Sequence, residues 1–302
     1  MKNLFFLFFS IILFSCGGNQ QQNESTDTTS QSMNEPVVGE VSLEESWQTD
    51  TVMITPESVL YDQQRNIIYI ANINGDPRDQ DGNGFISKLN SDGSVAELKW
   101  VTGLDAPKGM GVHENSLYVT DINQIVEINI SEGNVSNRYP VPGAQFLNDI
   151  TVSPDGVVYF TDSDGGKIQK LEEGEVSDYL TEGLERPNGL FYEDNRLLLA
   201  SSGDGTVKAI DHDTQEVSIL AEGIGHGDGI VPAGNGNYLV SNWQGEIWFL
   251  NSNWETTKLL DTKDQEINTA DIDYIITDNL LLIPTFFDNR ILGYSLNVPT
   301  SM

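Results

Sequence analysis

The sequence is poor in cysteine, histidine and positive charge, and each shortage narrows the possible functions. Its 302 residues include a single cysteine, Cys16, so no internal disulfide can form. Three histidines and no second cysteine disfavour a zinc site. With 15 basic against 46 acidic residues, the formal net charge is −31. Because that charge repels phosphate backbones and anionic lipid headgroups, we expect no nucleic-acid partner.

Long hydrophobic runs are lacking as well. The apolar run over residues 4–14 is short for a membrane span and typical of a signal-peptide core. It ends in "LFSC", which resembles the bacterial lipobox. We therefore predict a lipoprotein signal peptide over residues 1–15, a lipidated Cys16, and a place in the bacterial cell envelope, periplasmic or at the outer membrane. The alternative is a plain secretory signal with an incidental cysteine.

The rest of the chain divides into a tether and one domain. Residues 16–45 are polar and poor in aromatics, which predicts a flexible tether. From residue 46 to residue 302, short runs of Val, Ile, Leu, Tyr and Phe alternate with turn sequences such as "SPDG" and "SGDG". No stretch of this part has helical periodicity, and its length is sufficient for one large core. We predict an all-β domain.

An internal repeat indicates the architecture. The segments "PKGM", "LNDI", "PNGL" and "GDGI" recur every forty residues, and two less regular copies open near Glu57 and Asp271. Each unit contains four short β runs. Six such units predict a six-bladed β-propeller with four antiparallel strands per blade. We expect a strand from "WQTDTVMI" to close the ring by pairing with the last blade.

The repeat also predicts a polar ring. The residue before the innermost strand of each blade lies at one mouth of the central channel, and the six positions are Glu57, Lys108, Asn148, Asn188, Asp228 and a residue close to Asp271. Buried carboxylates repel one another unless a cation or protons intervene. Carboxylate and amide oxygens suit calcium, with other divalent cations such as magnesium possible. Alternatively, Asn and Asp stand here only because they stabilise turns.

The segments "PESV", "LNDI", "PNGL" and "GDGI" together resemble the senescence marker protein/gluconolactonase/luciferin-regenerating enzyme family, over about residues 48–297. They are also similar to the paraoxonase lactonases, which are six-bladed calcium propellers too. The resemblance implies that Glu57, Asn188 and Asp228 hold a metal ion. Asn148 matches a substrate contact in the first family and a calcium ligand in the second. Asp149 matches a residue of the second, structural calcium site of paraoxonases.

The chain departs from both families in the cavity. Phe146 stands where the gluconolactonase-like pattern has an arginine, and Gly229 stands where paraoxonases have an asparagine. The implied chemistry is hydrolysis of a lactone or ester by water, with Asp228 as the candidate base. Lys108 is a candidate for binding an anionic substrate group or the oxyanion, or else for a salt bridge to a ring carboxylate. His226 is a candidate proton shuttle or, more simply, a turn residue.

An insertion in the first blade carries a further motif. Asp79, Asp81, Asn83 and Gly84 follow the start of an EF-hand loop, but Asn90 replaces the glutamate at position twelve. The two interpretations are a surface calcium loop and an acidic insertion that overhangs the channel mouth. Two functions stay open for the monomer that we expect. One is a calcium-dependent hydrolase of small lactones or esters, and the other is a non-catalytic propeller with a structural metal that binds a ligand or protein partner.

Overall fold

A computed structural model describes residues 40–193 and 195–299. The predicted signal peptide, Cys16 and most of the predicted tether lie outside these residues. The described chain folds into six four-stranded antiparallel sheets. The predicted six-bladed propeller with four strands per blade is therefore confirmed.

Each blade runs from an inner to an outer strand in chain order, except the sixth, which takes its outer strand from the start of the domain. Blade 1 contains β2 (Pro56–Asp62), β3 (Ile67–Asn72), β4 (Gly84–Asn90) and β5 (Val95–Leu104). Blade 2 contains β6 (Pro107–His113), β7 (Ser116–Asp121), β8 (Gln124–Asn129) and β9 (Asn134–Pro140). Blade 3 contains β10 (Leu147–Val152), β11 (Val158–Asp162), β12 (Lys167–Glu172) and β13 (Glu175–Leu180).

The remaining blades have the same construction. Blade 4 contains β14 (Pro187–Glu193), β15 (Arg196–Ser201), β16 (Val207–Asp211) and β17 (Val217–Ala221). Blade 5 contains β18 (Gly227–Gly234), β19 (Asn237–Asn242), β20 (Glu246–Leu250) and β21 (Thr256–Asp261). Blade 6 contains β22 (Asp273–Ile275), β23 (Leu280–Pro284), β24 (Ile291–Asn297) and β1 (Ser42–Gln48). Short 3₁₀ helices span Lys263–Gln265, Ile276–Asp278 and Phe286–Asp288. Of the helices in the described residues, none has the length and apolar character that crossing a membrane requires.

The ring closes with a strand that lies further upstream than predicted. β1 pairs antiparallel with β24, and only Trp47 and Gln48 of the predicted closing segment belong to it. After Gln48 the chain turns, with a hydrogen bond from Val52 N to Asp50 O of 2.8 Å. The Trp47 ring packs where a side chain on Gly293 would otherwise stand, since an added Cβ would lie 2.5 Å from it. This contact fixes the register of closure.

The core lies between neighbouring blades. One cluster, for example, joins Tyr69 and Ile86 of blade 1 to Met110 and Val119 of blade 2. The second strands of the blades are covered on both faces, so β3 and β15, for example, read as nearly continuous apolar runs. Outer strands alternate in burial because one of their faces meets solvent, as in β9.

The inner strands approach one another too closely for side chains at some positions. A Cβ added to Gly189 would lie 1.8 Å from Asp228 O, and one added to Gly229 would lie 2.5 Å from Asp271 Oδ1. Glycine is thus required by neighbouring blades at these two places. The departure from the paraoxonase pattern at Gly229 follows from this contact with blade 6.

Candidate functional site

The predicted ring residues occupy irregular positions in their strands. In blades 1 to 5, the pairing between the first and second strand shifts register at the ring residue, which is a β-bulge. A bulge bends the strand and re-aims its side chains. The bulged residues are Glu57, Lys108, Asn148, Asn188 and Asp228.

Hydroxyl groups on the second strands hold these bulges in place. Thr161 Oγ1 donates to Asn188 O at 3.0 Å, and Thr120 Oγ1 donates to Asn148 O. Each bond joins one blade to the next and satisfies a carbonyl that the bulge leaves outside the ladder. Sequence reasoning missed these residues, although the repeated "VTD" and "FTD" place both threonines at the same point of the repeat.

The sixth ring position is apolar. Ser241 Oγ donates to Ala270 O at 2.8 Å, as Thr161 does to Asn188 O, so Ala270 is the residue near Asp271 that completes the ring. Asp271 itself lines a different cavity of about 270 Å³ and accepts a 2.7 Å hydrogen bond from Ser58 Oγ. Blade 6 therefore contributes no side-chain oxygen to the ring.

The channel mouth forms a cavity of about 510 Å³. It is lined by every predicted site residue of the propeller: Glu57, Lys108, Asn148, Asn188, His226 and Asp228. The ring members are buried, whereas His226 is exposed at the rim. Its Nδ1 lies 3.2 Å from Ser202 O. His226 is thus exposed to solvent, whereas Asp228 is buried.

The carboxylates of the ring favour protonation in the absence of a cation. Burial and the nearby Asp149 raise the pKa of Asp228 to about 8. Burial, together with Asp228, raises the pKa of Glu57 well above its ordinary value. Asn188 Nδ2 donates to Asp228 Oδ1 at 2.8 Å, which opposes the shift. The cavity floor thus carries less negative charge than its composition suggests.

Lys108 is a buried cation beside this ring. Its side chain is 1% exposed, and its Nζ donates to Ala106 O at 3.1 Å. Burial lowers its pKa to about 8, against the attraction of Glu57 and Asp121. Among the described residues it forms no salt bridge. The alternative interpretation, a salt bridge between Lys108 and a ring carboxylate, is therefore absent from this part of the chain. Its Nζ also lies over the Phe146 ring, 4.7 Å from the ring centroid.

The ring residues fit a hard cation. Two buried oxygens, Glu57 Oε2 and Asn188 Oδ1, have no hydrogen-bond partner among the described residues. Unpaired buried oxygens are costly unless a cation or water satisfies them. No group of three or more His, Cys, Asp and Glu in the described chain is arranged to hold a metal. A cation here would therefore use two carboxylates with amide oxygens, a set that suits calcium or magnesium.

Residues that sequence reasoning missed form the rim of the cavity. Arg78, from the blade 1 insertion, reaches over blade 2 and stacks on Phe146, with 4.2 Å between its Cζ and the ring centroid. Its Nη2 also donates to Asp164 Oδ2 at 2.7 Å. Arg186 Nη1 lies 2.9 Å from Asp164 Oδ1. No repeat could reveal this rim, because each residue comes from a different, non-equivalent loop.

The insertion overhangs the mouth, as one of its two interpretations required. Pro77 lines the cavity, and Gly82 N donates to Asp105 Oδ1 at 3.0 Å, which ties the loop to the start of blade 2. Two of the EF-hand-like side chains bond to each other, with Asn83 Nδ2 2.5 Å from Asp81 Oδ2. The loop thus acts as a cover for the cavity wall.

Asp149, the match to the paraoxonase structural site, points away from the mouth. It lines the second cavity with Asp271 and Asp273. Both of its oxygens accept backbone hydrogen bonds of 2.6 Å, from Ile150 N and Leu190 N. Burial raises its pKa to about 7. Asn148 and Asp149, which belong to the same bulge, therefore line different cavities.

Comparison with known proteins agrees with this architecture. No protein-family model matches the chain, and no curated protein matches it. Among solved structures, a putative gluconolactonase is 15% identical with a TM-score of 0.64, covering 85% of this chain and 93% of its own. A gluconolactonase from Xanthomonas campestris is 16% identical with a TM-score of 0.63, covering 86% and 91%. A catalytically inactive virginiamycin B lyase from Staphylococcus aureus, solved with quinupristin, is 17% identical with a TM-score of 0.61, covering 85% and 100%.

These similarities define a class of structure. At such identities they establish the propeller fold alone, and each neighbour spans nearly the whole domain. The chain is thus a six-bladed propeller with a buried polar cavity at one mouth, and its structural neighbours include gluconolactonases and a lyase.

Proposed function

We propose that this protein is a calcium-dependent hydrolase of lactones or related esters, held at the bacterial cell envelope by a lipid on Cys16. The observation that supports it most is the pair of unpartnered buried oxygens, Glu57 Oε2 and Asn188 Oδ1, on the floor of a cavity of about 510 Å³. An oxygen-only site beside an open cavity is what a hard Lewis acid needs in order to reach a substrate. The neighbouring gluconolactonases favour the same chemistry.

The residues divide into two roles in this proposal. Glu57, Asn188 and Asp228, with Asn148 beside them, would hold calcium, which would supply polarisation of the substrate carbonyl. Asp228 would be deprotonated when calcium is bound and would then accept a proton from the attacking water. Without a cation, burial raises its pKa to about 8, so calcium is needed to keep it ionised near neutral pH. Lys108 donates a hydrogen bond to the oxygen that gains negative charge. Its burial makes that contact stronger than it would be in water.

The test is a panel of sugar, aliphatic and aromatic lactones and esters, assayed with calcium and with a chelator. Asp228→Asn keeps an oxygen ligand and removes the base, so turnover should fall by roughly 10² to 10⁴. Asp261→Asn is the matched control, because Asp261 lies on the outer strand of the same blade and pairs with Lys258. Equal turnover with calcium and with chelator would refute the proposal.

A second candidate, ligand or partner binding without catalysis, is favoured by one observation. Phe287 is 64% exposed and Trp243 is 36% exposed beside the cavity, and their rings contact edge to face. Exposed aromatics of this kind are typical of binding surfaces. Calcium bound with no turnover on any lactone or ester would favour this function instead.

A further inference from the structure

The rim of the cavity holds an arrangement of charges that the proposed chemistry does not use. Asp164, in the turn between β11 and β12, binds two guanidinium groups at once. Its Oδ2 is 2.7 Å from Arg78 Nη2, and its Oδ1 is 2.9 Å from Arg186 Nη1. The two arginines come from blade 1 and from the segment before blade 4. Two distant parts of the chain therefore meet on one carboxylate.

A cluster of positively charged side chains is unusual for a chain of this composition. The chain has 15 basic residues against 46 acidic ones, yet Arg78, Arg186 and Lys108 all lie around one cavity mouth. Lys108 and Arg78 both contact the Phe146 ring, at 4.7 and 4.2 Å from its centroid. Like charges gathered in a strongly acidic protein raise the local concentration of anions at that place.

The ion pairs with Asp164 are of the kind that exchange partners readily. The side chains of Arg78 and Arg186 are 53% and 55% exposed, and that of Asp164 is 24% exposed. Exposed ion pairs contribute little net stability, so replacing Asp164 by another carboxylate costs little. A ligand carboxylate can accept from both guanidinium groups in the same two-oxygen geometry.

Two residues that line the cavity have left-handed backbone. Arg186 has φ of 48°, in the left-handed region, although it is not glycine and precedes Pro187. On the other side of the cavity, the buried Phe286 has φ of 50°. Strained backbone of this kind persists where the surrounding structure holds it, and it concentrates at binding sites. The cavity thus has a cationic side at Arg186 and an aromatic side at Phe286 and Trp243.

We propose that Arg78 and Arg186 form a carboxylate-recognition site, so that the preferred substrates are lactones or esters bearing a free carboxylate, which replaces Asp164 between the two arginines. This inference rests on the proposed hydrolase function in so far as the ligand is a substrate. Binding of a carboxylate to Arg78 and Arg186 can be measured without turnover. The aromatic side of the cavity contacts the apolar part of the same molecule.

The experiment compares matched pairs of probes that differ only in charge. The pairs are γ-carboxy-γ-butyrolactone with its carboxamide, and para-carboxyphenyl acetate with para-carbamoylphenyl acetate. Turnover is measured as kcat/KM, and binding is measured separately by tryptophan fluorescence, to which Trp243 at the cavity contributes, and by calorimetry. Wild-type protein should prefer the carboxylate of each pair by roughly tenfold or more, as expected for a charge-assisted contact.

Three substitutions separate recognition from folding. Arg78→Gln and Arg186→Gln should each lower affinity for the carboxylate probes roughly tenfold and leave the carboxamides nearly unchanged. Asp164→Asn removes the internal competitor, so carboxylate affinity should rise by roughly threefold or more. Arg196→Gln is the control, since it deletes the same charge from a pair with Glu193 that does not line the cavity.

The outcomes distinguish this inference from the proposed function. A carboxylate preference in binding without turnover keeps the anion site and removes the hydrolase. Turnover of both members of each pair at equal rates removes the anion site and keeps the hydrolase. Weaker carboxylate binding in Asp164→Asn, or equal losses for charged and uncharged probes in the arginine variants, would mean that the rim is merely structural and would overturn the inference.

Discussion

Calcium binding to the mouth ring should depend steeply on pH, because the ring must lose protons to bind a cation. Burial raises the pKa of Asp228 from its ordinary 3.8 to about 8 and raises that of Glu57 well above its ordinary value. A raised folded pKa means that the protonated form stabilises the native state. These two groups therefore contribute stability to the calcium-free protein that is fully present below about pH 4 and is lost as pH rises through about 8. Calcium binds the deprotonated form and should reverse this trend.

The size of the effect follows from the number of protons displaced. Below the folded pKa, each displaced proton makes the apparent Kd fall about tenfold per pH unit. One proton displaced between about pH 6 and about pH 8 is thus worth roughly 100-fold in affinity, or about 2.7 kcal/mol. Saturating calcium should then raise the Tm by about 5 to 10 °C more at the higher pH, given about 2–4 °C per kcal/mol for a domain of this size.

Calorimetry in two buffers of different ionisation enthalpy counts the protons released, and thermal melting with calcium or chelator gives the Tm shifts. Asp228→Asn should release fewer protons and flatten the pH dependence. Asp261→Asn should change neither, because its partner Lys258 already holds its pKa below the ordinary value. A calcium affinity that is the same at both pH values, or binding without proton release, would refute this account of the ring.

Three further outcomes are expected. Gly189→Ala places a Cβ 1.8 Å from Asp228 O and should destabilise the fold by several kcal/mol, roughly 3 or more in urea titration, while Gly227→Ala, whose nearest contact is 3.3 Å, should cost far less. Trp47→Ala should lower the free energy of unfolding by about 3 kcal/mol, measured the same way, because it opens the ring closure. Cys16→Ala should release the full-length protein from the membrane fraction or leave its signal peptide uncleaved, and a processed protein with unchanged fractionation would contradict the lipid anchor.

Most of the fold and the positions of the ring residues could be predicted from the forty-residue repeat. Every forty residues the same bulge places a polar side chain at the same mouth of the channel. The spacing alone therefore predicts that Asn148, Asn188 and Asp228 line one cavity, as they do. The second-strand hydroxyls that fix the bulges were equally visible in principle. Thr120 and Thr161 recur at one place in the repeat, but a hydroxyl in a strand also reads as an ordinary surface residue.

The features that the sequence did not predict, the closing strand and the charged rim, involve residues outside the repeat. The closing strand begins at Ser42 because Trp47 must cover Gly293, a contact between residues at opposite ends of the domain. Arg78 reaches Asp164 across a whole blade, and no periodicity relates the two. Such pairings depend on closure of the ring in three dimensions, which spacing along the chain does not encode.

The ring and the rim together give the cavity a division of charge that constrains any ligand. At the floor, burial favours the protonated forms of Glu57 and Asp228, and a bound cation would favour their ionised forms near neutral pH. Lys108 already lies near Glu57, and burial lowers its pKa to about 8, so it gives up its own proton more easily than an exposed lysine. A metal ion and Lys108 would thus both interact with the same carboxylates at the floor. Arg186 adds positive charge at the rim. A neutral lactone would use only the floor, whereas a molecule with a carbonyl group at one end and an anion at the other would use both the floor and the rim.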